Sequence, residues 1–514
     1  MYLVRPSPPL PATAVASSLR RAPWAATVAA LAVGGLALHL RWRGLRGEIT
    51  WDEADYAAAA ARGFWANWWF EGGIHGLRHF HGPLTADAIG VATRLVGGSV
   101  AAIRLPTMLA SVVACALVVL AGDDLAQGGP MARLVAGATA GALLATAPAS
   151  LAMAETAKPH PWVELFLVLN LWSLCRYLRA PTRRRAAWFG ASLAGQFLAM
   201  EYATFVAAFA VIAGAVVAVR ERRPARSTVE DLLLAAVACV LILLVTWPGG
   251  VLHGDIGTGL HFFLDLAERG HRRFFRGVPM QQLPWYAYLW WYEHRFPLLL
   301  VAMLGALALV AVWVAVRRTP VAIALGIFVA GFLLAIHRAH IMGLAYSTFA
   351  VTPLVLAAVL AGNWAWVAAA GVSSTRGRVG ARAAVALLAV AGVLGGRCRP
   401  PRARPIAGPL TVLSRRLAAE AEPGATVVAT NWPIVRHLVT IELGRADVTV
   451  VGYGSGDDAE DLRGFEAATA SPPSWALVGG WVAMVRPRPG LDADPVDGWP
   501  VVASAGGYRL HHKS

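Results

Sequence analysis

The sequence Pro297-Leu-Leu-Leu-Val-Ala-Met-Leu-Gly-Ala-Leu-Ala-Leu-Val-Ala-Val-Trp-Val-Ala-Val316 contains no charged residue, and Arg317-Arg318 follow it directly. At 1.5 Å per residue, a helix of this length crosses the roughly 30 Å hydrocarbon core of a bilayer. Similar runs recur along the 514-residue chain, which is 57% hydrophobic and 15% charged. Soluble domains carry about a quarter charged residues. The sequence therefore predicts a polytopic membrane protein and excludes a soluble globule or a disulfide-stapled chain.

The membrane domain is predicted to cover residues 1–397 as an all-α bundle of about 11 transmembrane helices. Each predicted span is an apolar run of sufficient length for a transmembrane helix. The spans lie near residues 23–42, 102–121, 131–148, 160–178, 186–200, 203–219, 229–248, 297–316, 320–336, 345–362 and 381–397.

The positive charge of the chain indicates its orientation in the membrane. The formal net charge is +15, and the arginines cluster in short loops between apolar runs. If the N-terminus is cytoplasmic, every cytoplasmic loop is basic, as the positive-inside rule requires. Anionic membrane lipid then serves as counter-ion, so the charge implies no nucleic-acid partner. We expect a multi-pass protein of the cell membrane with an extracytoplasmic C-terminus.

Three segments on the external side are too long to be simple connections: residues 43–101, 249–296 and 398–514. Loops of such length usually carry function. The last segment alternates short β-rich runs with helix-like stretches, which predicts a small external α/β domain. Its Gly452-Tyr-Gly-Ser-Gly456 follows a predicted strand, where a turn explains the glycines better than a nucleotide site does.

The first external loop begins with Thr50-Trp-Asp-Glu-Ala-Asp-Tyr56. The apolar residues that follow recur at helical spacing, which predicts an amphipathic helix in the membrane interface. Its first turn holds Asp52, Glu53 and Asp55. One interpretation is purely structural, because Thr50 and Glu53 form a capping box and acids favour a helix N-terminus. The cap needs only one acid, however, so Asp52 is a candidate for chemistry.

A second polar element, Gly76-Leu-Arg-His-Phe-His-Gly-Pro-Leu84, follows in the same loop. Its residues Arg78, His79 and His81 are suited to a phosphate or, together with carboxylates, to a divalent cation. The alternative is an interfacial loop whose basic side chains reach toward lipid headgroups. Asp52 and His81 are the candidate metal ligands, although the sequence contains no established metal-binding motif.

These elements occur in an order that resembles the C-type superfamily of membrane glycosyltransferases. The resemblance is specifically to the protein O-mannosyltransferase and aminoarabinose-transferase-like family, whose pattern is D-E, K-P-P-L and R-L-P. Here Asp52-Glu53, Gly82-Pro-Leu84 and Arg104-Leu-Pro106 follow in that order. Glu155 in the second external loop and His337-Arg338 before a late span agree with it. The similarity covers about residues 1–400.

The resemblance implies an enzyme that transfers a sugar from a polyprenyl-phosphate carrier to an acceptor, with inversion at the anomeric carbon. It implies that Asp52, with Glu53 beside it, activates the acceptor hydroxyl. A leaving phosphate needs cations, and an acceptor hydroxyl needs a base. The expected substrate-binding residues are Asp55, Tyr56, Arg78, His79, His81, Glu155, Lys158 and Arg338, of which Arg78, Lys158 and Arg338 are the phosphate candidates.

The chain also departs from the family pattern at two positions. Gly82-Pro-Leu84 lacks the lysine and one proline of K-P-P-L, and Arg78 or His81 is the expected substitute. Glu201-Tyr202 stands where the family often has a lysine, which reverses a charge near the expected pocket. These departures predict a different donor or a weaker enzyme.

Two other functions compete with the transferase. A polyprenyl-lipid transporter or flippase would carry ionisable residues at mid-membrane, whereas the predicted spans are nearly free of charge between their ends. A non-catalytic relative that binds a polyprenyl lipid would explain Gly82 and Glu201. The substitution Asp52→Asn distinguishes them, because only an enzyme depends on that carboxylate for turnover.

Overall fold

The computed structural model describes residues 23–47, 49–69, 81–269, 273–275, 278–280, 284, 286–338, 344–371, 374–397, 408–429, 432–452, 474–479 and 498–513. It is predominantly helical, as the sequence predicts. Long helices lie at all of the predicted span positions. They are α1 (Pro23–Arg41), α5 (Val100–Leu125), α6 (Pro130–Thr146), α8 (His160–Arg179), α9 (Arg183–Ala199), α10 (Ala203–Glu221), α11 (Ala225–Thr246), α15 (Pro297–Arg317), α16 (Pro320–Arg338), α17 (Leu344–Ala368) and α18 (Thr375–Arg397).

Eight helices of the described part are long and apolar enough to cross a membrane, and a ninth span results if a bent pair is counted as one. That pair is α6 with α7 (Pro148–Ala154), which meet at an angle of 59°. Helices α8 and α9 fall outside this count. Helix α9 has only 17 residues, and α8 contains Glu164, Arg176 and Arg179. Both nevertheless pack inside the bundle: they contact each other, α8 also packs on α5, and α9 packs on α11.

Small residues let neighbouring helices approach closely. A Cβ atom on Gly137 of α6 would lie 2.3 Å from the carbonyl oxygen of Val119 on α5, and one on Gly122 would lie 2.9 Å from Gly137 Cα. Such contacts between backbones are the usual way in which helices associate in lipid, where the hydrophobic effect offers little driving force.

Short helices gather at one end of the bundle, which we call the site face. They begin after α1 with a 3₁₀ turn (Trp42–Leu45) and include α2 (Trp51–Arg62), α3 (Phe64–Trp69), α4 (Leu84–Val96), α12 (Pro248–Leu252), α13 (Asp255–Arg269) and α14 (Ala287–Arg295). A small hairpin of β1 (Arg273–Phe275) and β2 (Val278–Met280) follows α13. The Trp68 indole of α3 donates to the carbonyl oxygen of Val245 (2.7 Å), which attaches α3 to the end of α11.

The C-terminal part forms the predicted α/β unit. Helix α19 (Pro409–Glu420) packs on a five-stranded sheet of order β4-β3-β5-β7-β6. Its strands are β3 (Thr426–Ala429), β4 (Thr449–Gly452), β5 (Ser474–Gly479), β6 (Val501–Ala505) and β7 (Tyr508–His512). Strand β3 pairs in parallel with β4 and β5, whereas β7 is antiparallel to β5 and β6.

This unit docks directly on α2. The contact is made by α20 (Trp432–Arg436) and the π-helical turn His437–Glu442 that follows it. Val435 and Val439 of these elements belong to the same buried cluster as Tyr56 and Ala57 of α2. The C-terminal unit therefore supports the helix whose first turn carries Asp52.

Candidate active site

Two adjacent acids at the start of α2 have different surroundings. Glu53 is fully buried, whereas the side chain of Asp52 is 52% exposed. The backbone N–H of Thr50 donates to Glu53 Oε2 (2.8 Å), which satisfies a donor at the helix N-terminus. The capping interpretation therefore accounts for Glu53 and leaves Asp52 available at the surface of the site.

Glu53 also forms a buried ion pair with Arg104 of α5. Arg104 donates from Nε to Glu53 Oε1 (2.6 Å) and from Nη2 to Oε2 (2.9 Å). Its Nη1 donates to the carbonyl oxygens of Gly44 (3.2 Å) and Arg46 (3.0 Å). This planar, two-pronged geometry is specific to arginine. Arg104, the first residue of the Arg104-Leu-Pro106 element, thus binds the glutamate of the Asp52-Glu53 pair.

A further backbone donor completes the surroundings of Glu53. The N–H of Ala157, in the loop between α7 and α8, donates to Oε1 (2.9 Å). Burial alone would raise the pKa of Glu53, but Arg104 and the backbone donors hold it below its usual value. Each carboxylate oxygen already accepts two hydrogen bonds. This geometry suits a residue that positions the site, not one that contacts substrate.

Asp52 pairs with Lys158, the residue after Ala157. Adjacent residues of α2, Asp52 and Glu53, therefore contact adjacent residues of the α7–α8 loop, Lys158 and Ala157. The contact of Glu53 with Ala157 is buried, whereas the pair of Asp52 with Lys158 is accessible to solvent. The Lys158 side chain is 25% exposed. This arrangement brings a carboxylate and an ammonium group together at the accessible surface of the site face.

His81, at the start of the chain leading into α4, forms a cluster with Asp52 and Lys158, whose charges both act on it. Its Nδ1 is 2.8 Å from Glu201 Oε2, and its ring stacks on Tyr56 at a centroid distance of 6.4 Å. Glu201 is almost fully buried between α9 and α10. Burial favours a lower pKa for His81, but the Glu201 carboxylate, with help from Asp52, raises it above its ordinary value. These carboxylates therefore stabilise the protonated form of His81.

Gly82 explains how His81 reaches Glu201. A Cβ atom on Gly82 would lie 2.2 Å from the carbonyl oxygen of Leu198 and 2.5 Å from that of Phe197, both at the end of α9. Only glycine permits this close approach of two backbones. The two departures from the family pattern, Gly82 and Glu201, are thus parts of one local arrangement.

The remaining sequence-predicted residues are distributed around this cluster. Asp55 lies half-buried and Tyr56 buried on α2, while Glu155 is half-buried at the end of α7 against Gly44. Arg338 is the last residue of α16, where only the backbone is described. Arg78 and His79 lie outside the described residues.

A second buried charge network lies deeper in the bundle. Arg41 of α1 donates to Ser111 Oγ (2.9 Å) and Ser150 Oγ (2.7 Å), and both hydroxyls donate to Glu164 Oε2 (3.0 and 2.9 Å). It joins α1, α5, α7 and α8. Neither charge belongs to a motif recognised in the sequence, although a charged residue within a predicted span is itself a signal of function or of internal pairing.

The described residues include no group of three or more histidine, cysteine, aspartate or glutamate side chains that could hold a metal ion. Asp52 and His81 are both in the cluster, but Lys158 contacts Asp52 and Glu201 contacts His81. The divalent metal stays a prediction.

Comparison with known proteins reveals similarity at the level of structure. Neither the protein-family models nor the curated proteins contain a match to the sequence. The crystal structure of ArnT from Cupriavidus metallidurans bound to undecaprenyl phosphate is similar with a TM-score of 0.62. Its identity is 16%, over 95% of this chain and 97% of that one.

A second similar structure is the Archaeoglobus fulgidus oligosaccharyltransferase in the apo form. It has a TM-score of 0.59 and 12% identity, over 90% of this chain and 70% of that one. The same transferase, AglB, in complex with an inhibitory peptide and a dolichol-phosphate gives a TM-score of 0.59 at 12% identity, over 89% and 69%. Both proteins are C-type glycosyltransferases. The chain therefore has the fold of the C-type membrane glycosyltransferases.

Proposed function

We propose that the chain is an inverting glycosyltransferase that moves a sugar from a polyprenyl-phosphate carrier to an acceptor hydroxyl at the site face. The observation that carries the proposal is the cluster of Asp52, Lys158 and His81, which combines an exposed carboxylate with an ammonium group and a histidine whose pKa is raised. The similar folds support it, since ArnT binds undecaprenyl phosphate and AglB binds a dolichol-phosphate.

The chemistry assigns a separate task to each charge. Asp52 accepts the proton of the acceptor hydroxyl as the oxygen forms its bond to the anomeric carbon. The bond from that carbon to the phosphate oxygen breaks on the opposite side, which inverts the centre. The carrier phosphate leaves with additional negative charge, and Lys158 and His81 stabilise it. Arg78 and Arg338 are the further phosphate candidates, and Asp55, Tyr56, His79 and Glu155 the further substrate-binding candidates.

Glu53 acts in this proposal as a positioning residue. Through Arg104 and Ala157 it fixes the start of α2 relative to the loop that carries Lys158. Asp52 and Lys158 are then held in place before substrate arrives. Such preorganisation is the main source of electrostatic catalysis, because the groups need no rearrangement during the reaction.

The test is consumption of labelled polyprenyl-phosphate sugars by the purified protein in lipid vesicles, with a cell-envelope extract as acceptor. Wild type and Asp52→Asn are compared, with and without a divalent cation. Glu230→Gln, an exposed acid of α11 paired with Arg226, is the matched control. We expect consumption by wild type and by the control but not by Asp52→Asn. Equal consumption by Asp52→Asn would contradict the proposal.

A non-catalytic lipid-binding protein is the second candidate function. It is favoured by Glu201, a buried acid where the family often has a lysine. The ion pair between Glu201 and His81 weakens this argument, because the acid faces a histidine whose charge it stabilises. Binding of polyprenyl phosphate without turnover in any donor and acceptor combination would favour this candidate.

A further inference from the structure

A cavity away from the active site lies among helices that carry none of the active-site residues. It has a volume of about 610 Å³ and lies between α6, α15, α17 and α18. We call it the acyl slot. Its walls are predominantly apolar and include Leu143, Leu299, Ala358 and Ala389. A cavity with such walls in the membrane-spanning part of a protein is expected to contain hydrocarbon, since water finds few hydrogen-bonding partners there.

The acyl slot has the length of one lipid chain. On α6 its lining extends from Met131 to Leu143, which is about 18 Å along a helix at 1.5 Å per residue. One leaflet contributes about half of the 30 Å hydrocarbon thickness, or about 15 Å. The slot therefore accommodates a chain that enters at one end of the bundle and lies along the full depth of a leaflet.

One mouth of the slot is basic. It lies at the end opposite the site face, where Trp366 lines the slot and the Arg382 guanidinium stacks over its indole at 5.1 Å. Arg382 Nε is buried and has no hydrogen-bond partner among the described residues. Arg378 lies one helical turn earlier on α18, so it points from the same side of the helix. A phosphate at this mouth would accept a hydrogen bond from Arg382 Nε and would also be attracted by the positive charge of Arg378.

We propose that the acyl slot binds an anionic phospholipid, with one acyl chain between α6, α15, α17 and α18 and its phosphate at Arg382 and Arg378. The polyprenyl-phosphate donor is a poor occupant, because its phosphate must reach Lys158 and His81 at the opposite end of the bundle. The lipid is thus distinct from the donor and comes from the leaflet opposite the active site. Its acyl chain fills the space between α18 and the neighbouring helices α6, α15 and α17.

The test uses the full chain in phosphatidylcholine nanodiscs that contain a small fraction of phosphatidylglycerol with a photoreactive group on one acyl chain. After irradiation, labelled peptides are identified by mass spectrometry. We expect labels on lining residues of α6, α17 and α18, and little labelling there by a phosphatidylcholine probe with the same reactive chain. Equal labelling by both probes would overturn the assignment of Arg382 and Arg378 to a phosphate.

Two pairs of variants on α18 separate the proposal from general effects on the helix. Arg382→Gln should raise the probe fraction for half-maximal labelling about tenfold, the factor that corresponds to 1.4 kcal/mol, while Arg376→Gln should not. Ala389→Trp fills the slot and should abolish slot labelling, whereas Leu387→Trp lies on an exposed surface outside the lining. Unchanged labelling in Ala389→Trp, or displacement of the probe by undecaprenyl phosphate, would contradict the proposal.

Discussion

The ion pair of Glu53 and Arg104 is buried on both sides, so no water can replace a lost partner. We predict that Glu53→Gln lowers the free energy of unfolding by about 3–5 kcal/mol, because it leaves the Arg104 charge uncompensated. Thermal unfolding in detergent measures the effect. The exposed pair of Glu230 with Arg226 is the control, and Glu230→Gln should cost no more than about 1 kcal/mol. Equal effects of the two variants would contradict the structural role of Glu53.

The ion pair of His81 with Glu201 predicts a pH dependence of donor binding. Glu201 raises the pKa of His81 above the ordinary value of 6.5, so the positive charge persists below the raised pKa and is lost as the pH rises through it. Donor affinity should therefore fall on the alkaline side of pH 6.5. In Glu201→Gln the fall should move to lower pH, because the stabilising carboxylate charge is gone. Donor titrations over a pH series measure both midpoints, and identical midpoints would contradict this coupling.

At this scale the sequence indicates residue types but not their partners. The sequence alone identifies Asp52, His81 and Lys158 as candidate site residues. The capping box is a local sequence pattern, and it predicts the hydrogen bond between Glu53 and Thr50. Arg104 lies 51 residues beyond Glu53, and Glu201 lies 120 residues beyond His81. Pairs at such separations depend on how the helices pack, which local patterns do not specify.

At the scale of elements, Gly82 allows the segment that leads into α4 to lie close to the end of α9. We predict that Gly82→Ala costs about 1–3 kcal/mol of stability and weakens donor binding, because the added Cβ must displace backbone and with it His81. Gly35→Ala in α1 is the control, since a Cβ there meets nothing within 4 Å. Thermal unfolding and donor titration of both variants test this. A Gly82→Ala protein that behaves like Gly35→Ala would contradict the role of this contact.

The helices themselves follow from local hydropathy, which explains why their positions could be predicted from the sequence. Helices α8 and α9 have the weakest transmembrane signal, yet they pack inside the bundle, where charged residues such as Glu164 have internal partners. Strand β7 is not evident from the sequence, because Tyr508-Arg-Leu-His-His512 contains too few apolar residues to indicate a strand. Its place in the sheet depends on pairing with β5 and β6.

For the whole molecule, the basic loops predict that the site face and the C-terminal unit are extracytoplasmic. The described native cysteines are buried, so a Cys398→Ser background provides few competing thiols. We predict that a membrane-impermeant maleimide labels Ala419→Cys of α19 in intact cells but labels Arg184→Cys of α9 only after permeabilisation. Both positions are exposed. The reverse labelling would place the active site in the cytoplasm and exclude the proposed orientation.

The central claim is that Asp52 activates the acceptor, while Lys158 and His81 bind the phosphate of the donor. The most direct test measures donor affinity and turnover in Asp52→Asn, once the donor has been identified. A general base contributes about 10²–10⁴-fold to rate, so we predict a loss of turnover of at least about 100-fold with donor affinity within a few-fold of wild type. Turnover at the wild-type rate in Asp52→Asn would contradict the account.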